Sequence, residues 1–380
     1  MAAILQAQKL TKTYGAKILF ENLDLIINEG EKVALIAPNG TGKSSLLKII
    51  AGADTPDMNR NGESGTVQIF SSSGVAFLEQ VPEFDNEKTV FEEVFTGGGE
   101  ITRIVALYEM ALKGSDQLVL ERAIHEMDRV EGWQYEQRIK QILTSLKIEA
   151  LDQKMGELSG GQRKRVALAK IVIRGADFII LDEPTNHLDL EMIEYLEDYL
   201  NRSRMTLLMV THDRYFLDSV CNKIIELDRG QLYTYEGNYS YFLQKREERI
   251  ANFNSETDRA KNLFRGELEW MRRMPQARGT KAKYRINAFY DLKERASQRI
   301  ENQTIKIDSA TSRLGTKIIN CKDISHRYDS VLTIDGFTYN FVKGEKIGIV
   351  GANGVGKTTF LEVITGALPI DSGVIEFGET

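Results

Sequence analysis

The segment "GEKVALIAPNGTGKSSLLKIIAG" occupies residues 30–52, and "GEKIGIVGANGVGKTTFLEVITG" occupies residues 344–366. In each, an apolar run leads into a glycine loop and then a helical stretch. The second loop, from Gly351 to Thr358, is a full G-x-x-x-x-G-K-[ST] match in the strand–loop–helix context the motif requires. Its glycines let backbone N–H groups converge on phosphates, and the helix N-terminus adds a positive dipole end. Lys357 is placed to reach the terminal phosphates, and the Thr358 hydroxyl to hold Mg²⁺. The first loop departs at its opening position, where Ala37 stands in place of glycine. Alanine is excluded there only if the residue needs positive φ or the space of a missing Cβ. Gly40, Gly42, Lys43 and Ser44 remain, so both loops are expected to bind a nucleotide.

Between the two segments every matched pair is separated by 314 positions: Gly30 and Gly344, Lys43 and Lys357, Gly52 and Gly366, Tyr14 and Tyr328. That period is far too long for a solenoid and points to a duplicated α/β domain. The first copy runs to about residue 238. Its apolar runs "KVALIA", "FIILDE" and "TLLMVTHD" read as buried strands alternating with amphipathic helices. Residues of about 95–156 form a polar, helix-rich insertion, about 239–315 join the copies, and 316–380 open the second.

The 380 residues carry a net charge of -6, which excludes a uniformly basic protein but not a basic patch. Cys221 and Cys321 have no C-x-x-C partner, so no disulfide framework or thiolate metal site is expected, and a reducing cytoplasm is the natural compartment. The N-terminus lacks a signal peptide's basic start and apolar core, and the apolar runs fall short of the about 20 residues a membrane span takes. A soluble chain is expected.

In "DFIILDEPTNHLD" two carboxylates close an apolar strand. Asp182 suits Mg²⁺, held through water, and Glu183 suits polarising an attacking water, because phosphoryl transfer needs positioning and electrostatics. The same pair also reads as a solvated strand end. His212 ends "LLMVTH" and, alone, reads as structural. "LSGGQRKRVALAKI" adds Ser159, a good N-cap, with Gly160 and Gly161 leaving a helix start bare, a second anion-binding terminus.

With these elements in order, the chain resembles an ATP-binding-cassette (ABC) ATPase. The resemblance implies an α/β P-loop cassette with a helical arm insertion, a helical-hairpin linker and a truncated second cassette. It implies ATP and Mg²⁺ held by Tyr14 (adenine stacking), Asn39, Gly40, Gly42, Lys43, Ser44, Ser45 and the Q-loop Gln80. The signature from Leu158, with Ser159, Gly160, Gly161 and Gln162, would bind a second ATP. Tyr328, Asn353, Gly354, Gly356, Lys357, Thr358 and Thr359 would serve that ATP from the second copy. Ser44, Gln80, Asp182 and Thr358 would hold the metal, Glu183 and His212 would be catalytic, and Asp189 would mark the D-loop. In this family two cassettes sandwich two ATPs, each held by the P-loop of one and the signature of the other.

The joining segment narrows the class. Residues 245–299 hold 15 Lys/Arg against 8 Asp/Glu. "WMRRMPQARGTKAKYR" contains six cations and no acid: Arg272, Arg273, Arg278, Lys281, Lys283 and Arg285. Two helices meeting at such a tip suit phosphate backbones, with Trp270, Tyr284, Phe289 and Tyr290 available for stacking. A solvated linker is the plainer alternative. With "DEPTNHLD", "THDRYFLD" and "ELEWMRRMPQARGTKAK", the chain resembles the ABC-F family, closest to its Uup-like branch. That implies a cytoplasmic ATPase binding the ribosome's exit site, its linker reaching toward the tRNA in the peptidyl site and its arm touching the large subunit. ATP binding would close the sandwich, and hydrolysis would release the ribosome. An ATPase subunit energising a membrane transporter is the alternative. The second copy shows no Q-loop, signature, acidic pair or switch histidine, so the chain is expected to be a fragment in which Lys357 and Ser159 share one ATP.

Overall fold

The computed structural model describes residues 2–72, 74–272, 283–297, 317–328 and 331–378. In chain order the elements are β1 (Ala3–Tyr14), β2 (Lys17–Asn28), β3 (Lys32–Ile36), α1 (Lys43–Ala51), β4 (Thr66–Ile69), β5 (Val75–Leu78), α2 (Val90–Phe95), α3 (Glu100–Lys113), α4 (Gln117–Arg129), α5 (Gly132–Ser145), α6 (Gly160–Arg174), β6 (Phe178–Asp182), α7 (Leu190–Arg202), β7 (Thr206–Val210), α8 (Arg214–Val220), β8 (Lys223–Asp228) and β9 (Gln231–Glu236). There follow α9 (Tyr239–Arg272), α10 (Lys283–Ser297), β10 (Lys317–Tyr328), β11 (Val331–Val342), α11 (Lys357–Ile364) and β12 (Ser372–Phe377). The chain forms two compact units. One holds Met1–Cys221, Ile225–Tyr233 and Ser309–Thr380, and the other Asn222–Ile224 with Thr234–Asp308.

The runs "FIILD" and "TLLMV" show no alternation because every residue is buried. Such strands belong to a parallel sheet covered on both faces, and β6 and β7 pair in parallel as interior strands of a six-stranded sheet of order β5-β6-β7-β3-β8-β9. A second, antiparallel sheet of order β2-β1-β4 lies in the same unit. Phe20, Leu46, Ile50, Phe178 and Leu208 share one core cluster, each burial worth about 1.5–3 kcal/mol. The α/β P-loop architecture expected from the sequence is the one observed.

Strand order positions the site. β5, β6, β7 and β3 are neighbours, each paired in parallel with the next. The segments leaving their C-terminal ends therefore converge, as ligand sites in open α/β sheets do. They are the segments of Gln80, Asp182–Glu183, His212 and the Lys43 loop.

The repeat is structural as well as sequential. β10 and β11 stand 314 residues from β1 and β2 at both ends, in a sheet of order β11-β10-β12. Even irregularities recur. Lys9 and Asp323 share positive φ, and their N–H groups donate to the side chains of Asp24 and Thr338 at the same offset. The offset extends to Asp57 and Asp371, whose carboxylates accept from the N–H groups of Thr13 and Arg327.

In the second unit α9 and α10 pack through stacked rings of Phe264 and Phe289, 5.1 Å between centroids. Phe289 is thus buried and unavailable for base stacking, correcting that expectation. Tyr284 and Tyr290 are exposed. The tip cations Arg273, Arg278 and Lys281 lie outside the described residues, as do the side chains of Trp270, Arg272, Lys283 and Arg285.

Candidate nucleotide site

β3 delivers the chain into a loop whose glycines take left-handed conformations, φ 74° at Gly40 and 98° at Gly42. A Cβ at Gly42 would lie 3.1 Å from Leu19 Cβ, so the loop also needs its smallness. Gly42 caps α1 without a side chain, leaving the helix's first N–H groups open toward the cleft. Lys43 folds back over the loop: its Nζ donates to the Ala37 carbonyl at 2.8 Å and to Asn39 Oδ1 at 3.3 Å. Ala37 does not take positive φ, so alanine meets no backbone strain at the position where the second loop has glycine.

A cleft of about 670 Å³ opens over this loop. Its walls include Tyr14, Asn39, Lys43, Ser44, Ser45, Gln80, Asp182, Glu183 and His212. Tyr14 is 82% exposed, a free ring face at the rim. Asp182 and Glu183 are buried, which removes the solvated strand-end reading. Burial raises the Asp182 pKa, and the Ser44 hydroxyl bonded to it works the other way. Burial likewise raises Glu183, opposed by the N–H and ring of His212. Lys43 is lowered by burial and supported by both carboxylates.

Glu183 sits at φ 52°, its N–H donating to the Val210 carbonyl at 2.8 Å. Oε2 accepts from the His212 N–H at 3.2 Å. Oε1 is buried with no hydrogen-bond partner. His212 Nε2 stands 3.5 Å from it, on a side chain that is 68% exposed and therefore not a core histidine. A carboxylate in the wall of a cleft over a glycine loop, with hydrogen-bonding capacity left unused, can orient a water. Ser44, Asp182 and Gln80 supply the hard oxygen donors Mg²⁺ takes, together with nucleotide phosphates, so the residues fit a magnesium nucleotide. Bound Mg²⁺ would neutralise developing charge on the phosphates.

Ser159 caps α6: its Oγ accepts from the Gln162 N–H at 3.3 Å while Gln162 Oε1 accepts from the Ser159 N–H at 2.9 Å. This reciprocal capping box ties up the Gln162 side chain, leaving the Ser159 end and Gly160, with open space above it, as the bare surface. The signature does not line the Lys43 cleft. Gly161 approaches His187 Cβ, where a Cβ of its own would sit at 3.4 Å.

The second loop reproduces the first, with Gly354 at φ 85° and Gly356 at 95°. Lys357 Nζ donates to the Gly351 and Ala352 carbonyls at 2.7 and 2.8 Å. Thr358 and Thr359 open α11. Asn353 Nδ2 donates to the His187 carbonyl at 2.7 Å, which sets this loop on the D-loop side of the first copy. The Tyr328 side chain is outside the described residues.

Sequence reasoning missed three residues. Lys17 and Asn186 line the cleft, and Lys17 Nζ donates to the Gly40 carbonyl at 3.0 Å. Lys164 lies buried behind Glu183. Nothing in motif spacing marks them.

A duplicated glycine-loop fold with a buried acid pair beside a histidine, and a glycine-rich helix start, is the architecture of a P-loop nucleotide-binding domain. A family model described as ABC transporter matches residues 20–186 and 334–380, and another with that description matches 225–307. The chain belongs to the ABC transporter family, as an ATP-binding domain protein. It is 42% identical over its whole length to the uncharacterized ABC transporter ATP-binding protein YfmR of Bacillus subtilis (strain 168), covering 60% of that protein. It is 35% identical over 98% of its length to the energy-dependent translational throttle protein EttA of Mycobacterium tuberculosis (strain CDC 1551 / Oshkosh), covering 67% of it. The solved ATP binding subunit of an ABC transporter overlays 61% of this chain and 90% of its own at TM-score 0.47 and 22% identity. The chain thus spans about 60% of the length of the first of these curated relatives.

Proposed function

We propose that the chain is the cassette-and-linker portion of a cytoplasmic ABC-F ATPase that works on the ribosome. It binds ATP with Mg²⁺ at the Lys43 loop, where Tyr14 stacks the base, Ser44 and Asp182 hold the metal, and Glu183 and His212 direct a water at the terminal phosphate. The observation that carries the hydrolytic reading is the buried Glu183 carboxylate in the cleft wall, with an Oε1 that has no hydrogen-bond partner and His212 Nε2 3.5 Å from it. The second ATP lies between the Lys357 loop and the Ser159 signature, supported by the Asn353–His187 bond. Assignment to translation rests on likeness to a translational throttle protein that runs through the linker as well as the cassettes. The basic tip, Arg272 to Arg285, then contacts ribosomal RNA and tRNA, and placement in the Uup-like branch rests on the cassette and linker motifs of the sequence.

Sedimentation with ribosomes, with and without ATP, tests this. ATP-dependent co-sedimentation supports the reading, and co-purification with a membrane permease instead replaces it with the transporter-subunit alternative. Among the described residues no helix is long and apolar enough to cross a membrane.

A further inference from the structure

Lys164 is 2% exposed, the only lysine among the buried residues described. Lysine is almost never fully buried unless paired, because an ammonium loses its hydration and must recover it from fixed partners. It lies in the second turn of α6, the helix that starts at the Ser159 signature. Its Nζ donates to the backbone carbonyl of Glu183. The nearby charges acting on it are the carboxylates of Glu183 and Asp182.

Glu183 needs such a partner. A φ of 52° is unfavourable for a residue with a side chain and persists only when neighbours over-determine it. Its N–H is held by the Val210 carbonyl and its Oε2 by the His212 N–H. Its carbonyl is held by Lys164 and, at 3.3 Å, by the Asn186 N–H. Without this backbone conformation the carboxylate would leave its place in the cleft wall beside His212.

We propose that Lys164 is a positioning residue for Glu183. Its buried ammonium pins the left-handed peptide that aims the carboxylate and balances the acid pair, and it ties the base to the helix that carries the signature. A shift of α6 at its Ser159 end then reaches Glu183 through one hydrogen bond. This inference rests on the reading of Glu183 as the residue that orients water.

The test compares Lys164→Met, Lys164→Arg and Glu183→Gln in the full chain. Three readouts are taken: steady-state ATP hydrolysis, binding of trinitrophenyl-ATP with Mg²⁺, and the crystal structure around residue 183. Lys164→Met is expected to lower kcat by about 10²-fold, the loss seen when a distant change displaces a reacting group by about 1 Å. KM and trinitrophenyl-ATP affinity are expected to stay within about twofold, with residue 183 leaving the left-handed region. Lys164→Arg, which keeps charge and donor, is expected to recover most of the rate. Unchanged kcat in folded Lys164→Met, or residue 183 still at positive φ, overturns the proposal. So does an equal loss of binding and rate, which marks a merely structural lysine. Should the methionine variant not fold, Lys164→Gln takes its place under the same criteria. If Glu183→Gln hydrolyses ATP normally, the base assignment fails by itself, and the backbone of Lys164→Met still decides whether Lys164 holds the peptide.

Discussion

The side-chain amide of Asn353 donates to the backbone carbonyl of His187 at 2.7 Å, joining the glycine loop of the second copy to the D-loop of the first. His187 takes positive φ, as Glu183 does four residues earlier. Two residues on, Asp189 caps α7 through the Met192 N–H at 3.2 Å and binds Lys147 Nζ at 2.8 Å. Lys147 follows the last helix of the insertion. One short loop thus touches the second phosphate loop, the α7 terminus and the end of the insertion.

Replacing Asn353 with alanine removes a neutral hydrogen bond, worth about 1 kcal/mol or roughly fivefold in an equilibrium constant. With Lys43→Ala silencing the first loop, calorimetry is expected to show about that loss in nucleotide affinity at the Lys357 loop. Equal affinities would separate the D-loop contact from binding.

Glu183→Gln keeps the size of the side chain and removes its basicity. Phosphate release is expected to slow by about 10²–10⁴-fold, the range for a positioned base, while nucleotide stays bound. Normal turnover would take Glu183 out of the mechanism.

Asp189 links the D-loop to pH. Burial alone would raise its pKa, but the Lys147 ammonium, the Met192 N–H and Asn353 together outweigh it and lower it. A folded pKa below the unfolded value of about 3.9 means stability that is present above about pH 4 and lost as pH falls through the folded pKa. Acid unfolding curves of wild type and Asp189→Asn are expected to converge at low pH and separate above it. Parallel curves throughout would show that the ion pair contributes nothing.

The linker prediction is electrostatic. If Arg272, Arg273, Arg278, Lys281, Lys283 and Arg285 all meet phosphate, log K for RNA or ribosome binding should fall against log salt with a slope of about -4 to -5. Converting the six to alanine should flatten it. An unaltered slope places the contact elsewhere.

Much of the architecture was legible beforehand because it is written in local patterns. The unbroken apolar runs ending at Asp182 and Val210 can be satisfied only in a sheet covered on both faces. The glycines at 40, 42, 354 and 356 announce backbone turns that side chains obstruct. The stacking role offered to Phe289 failed because aromatic content does not say which ring faces a partner helix, and here Phe264 claims it.

By itself the sequence determined the duplication, the two glycine loops, the helix capped by Ser159 and the acids at a strand end. Each depends on residues close in the chain, where spacing translates directly into geometry. Tertiary structure alone decided that Asp182 and Glu183 are buried, that His212 stands beside Glu183, and that Asn353 reaches His187 across 166 residues of chain. It also decided that Lys164, one cation among several in "QRKR", is the one turned inward. These relationships depend on strand order and helix rotation, which arise only when distant segments pack, and so no local pattern could encode them.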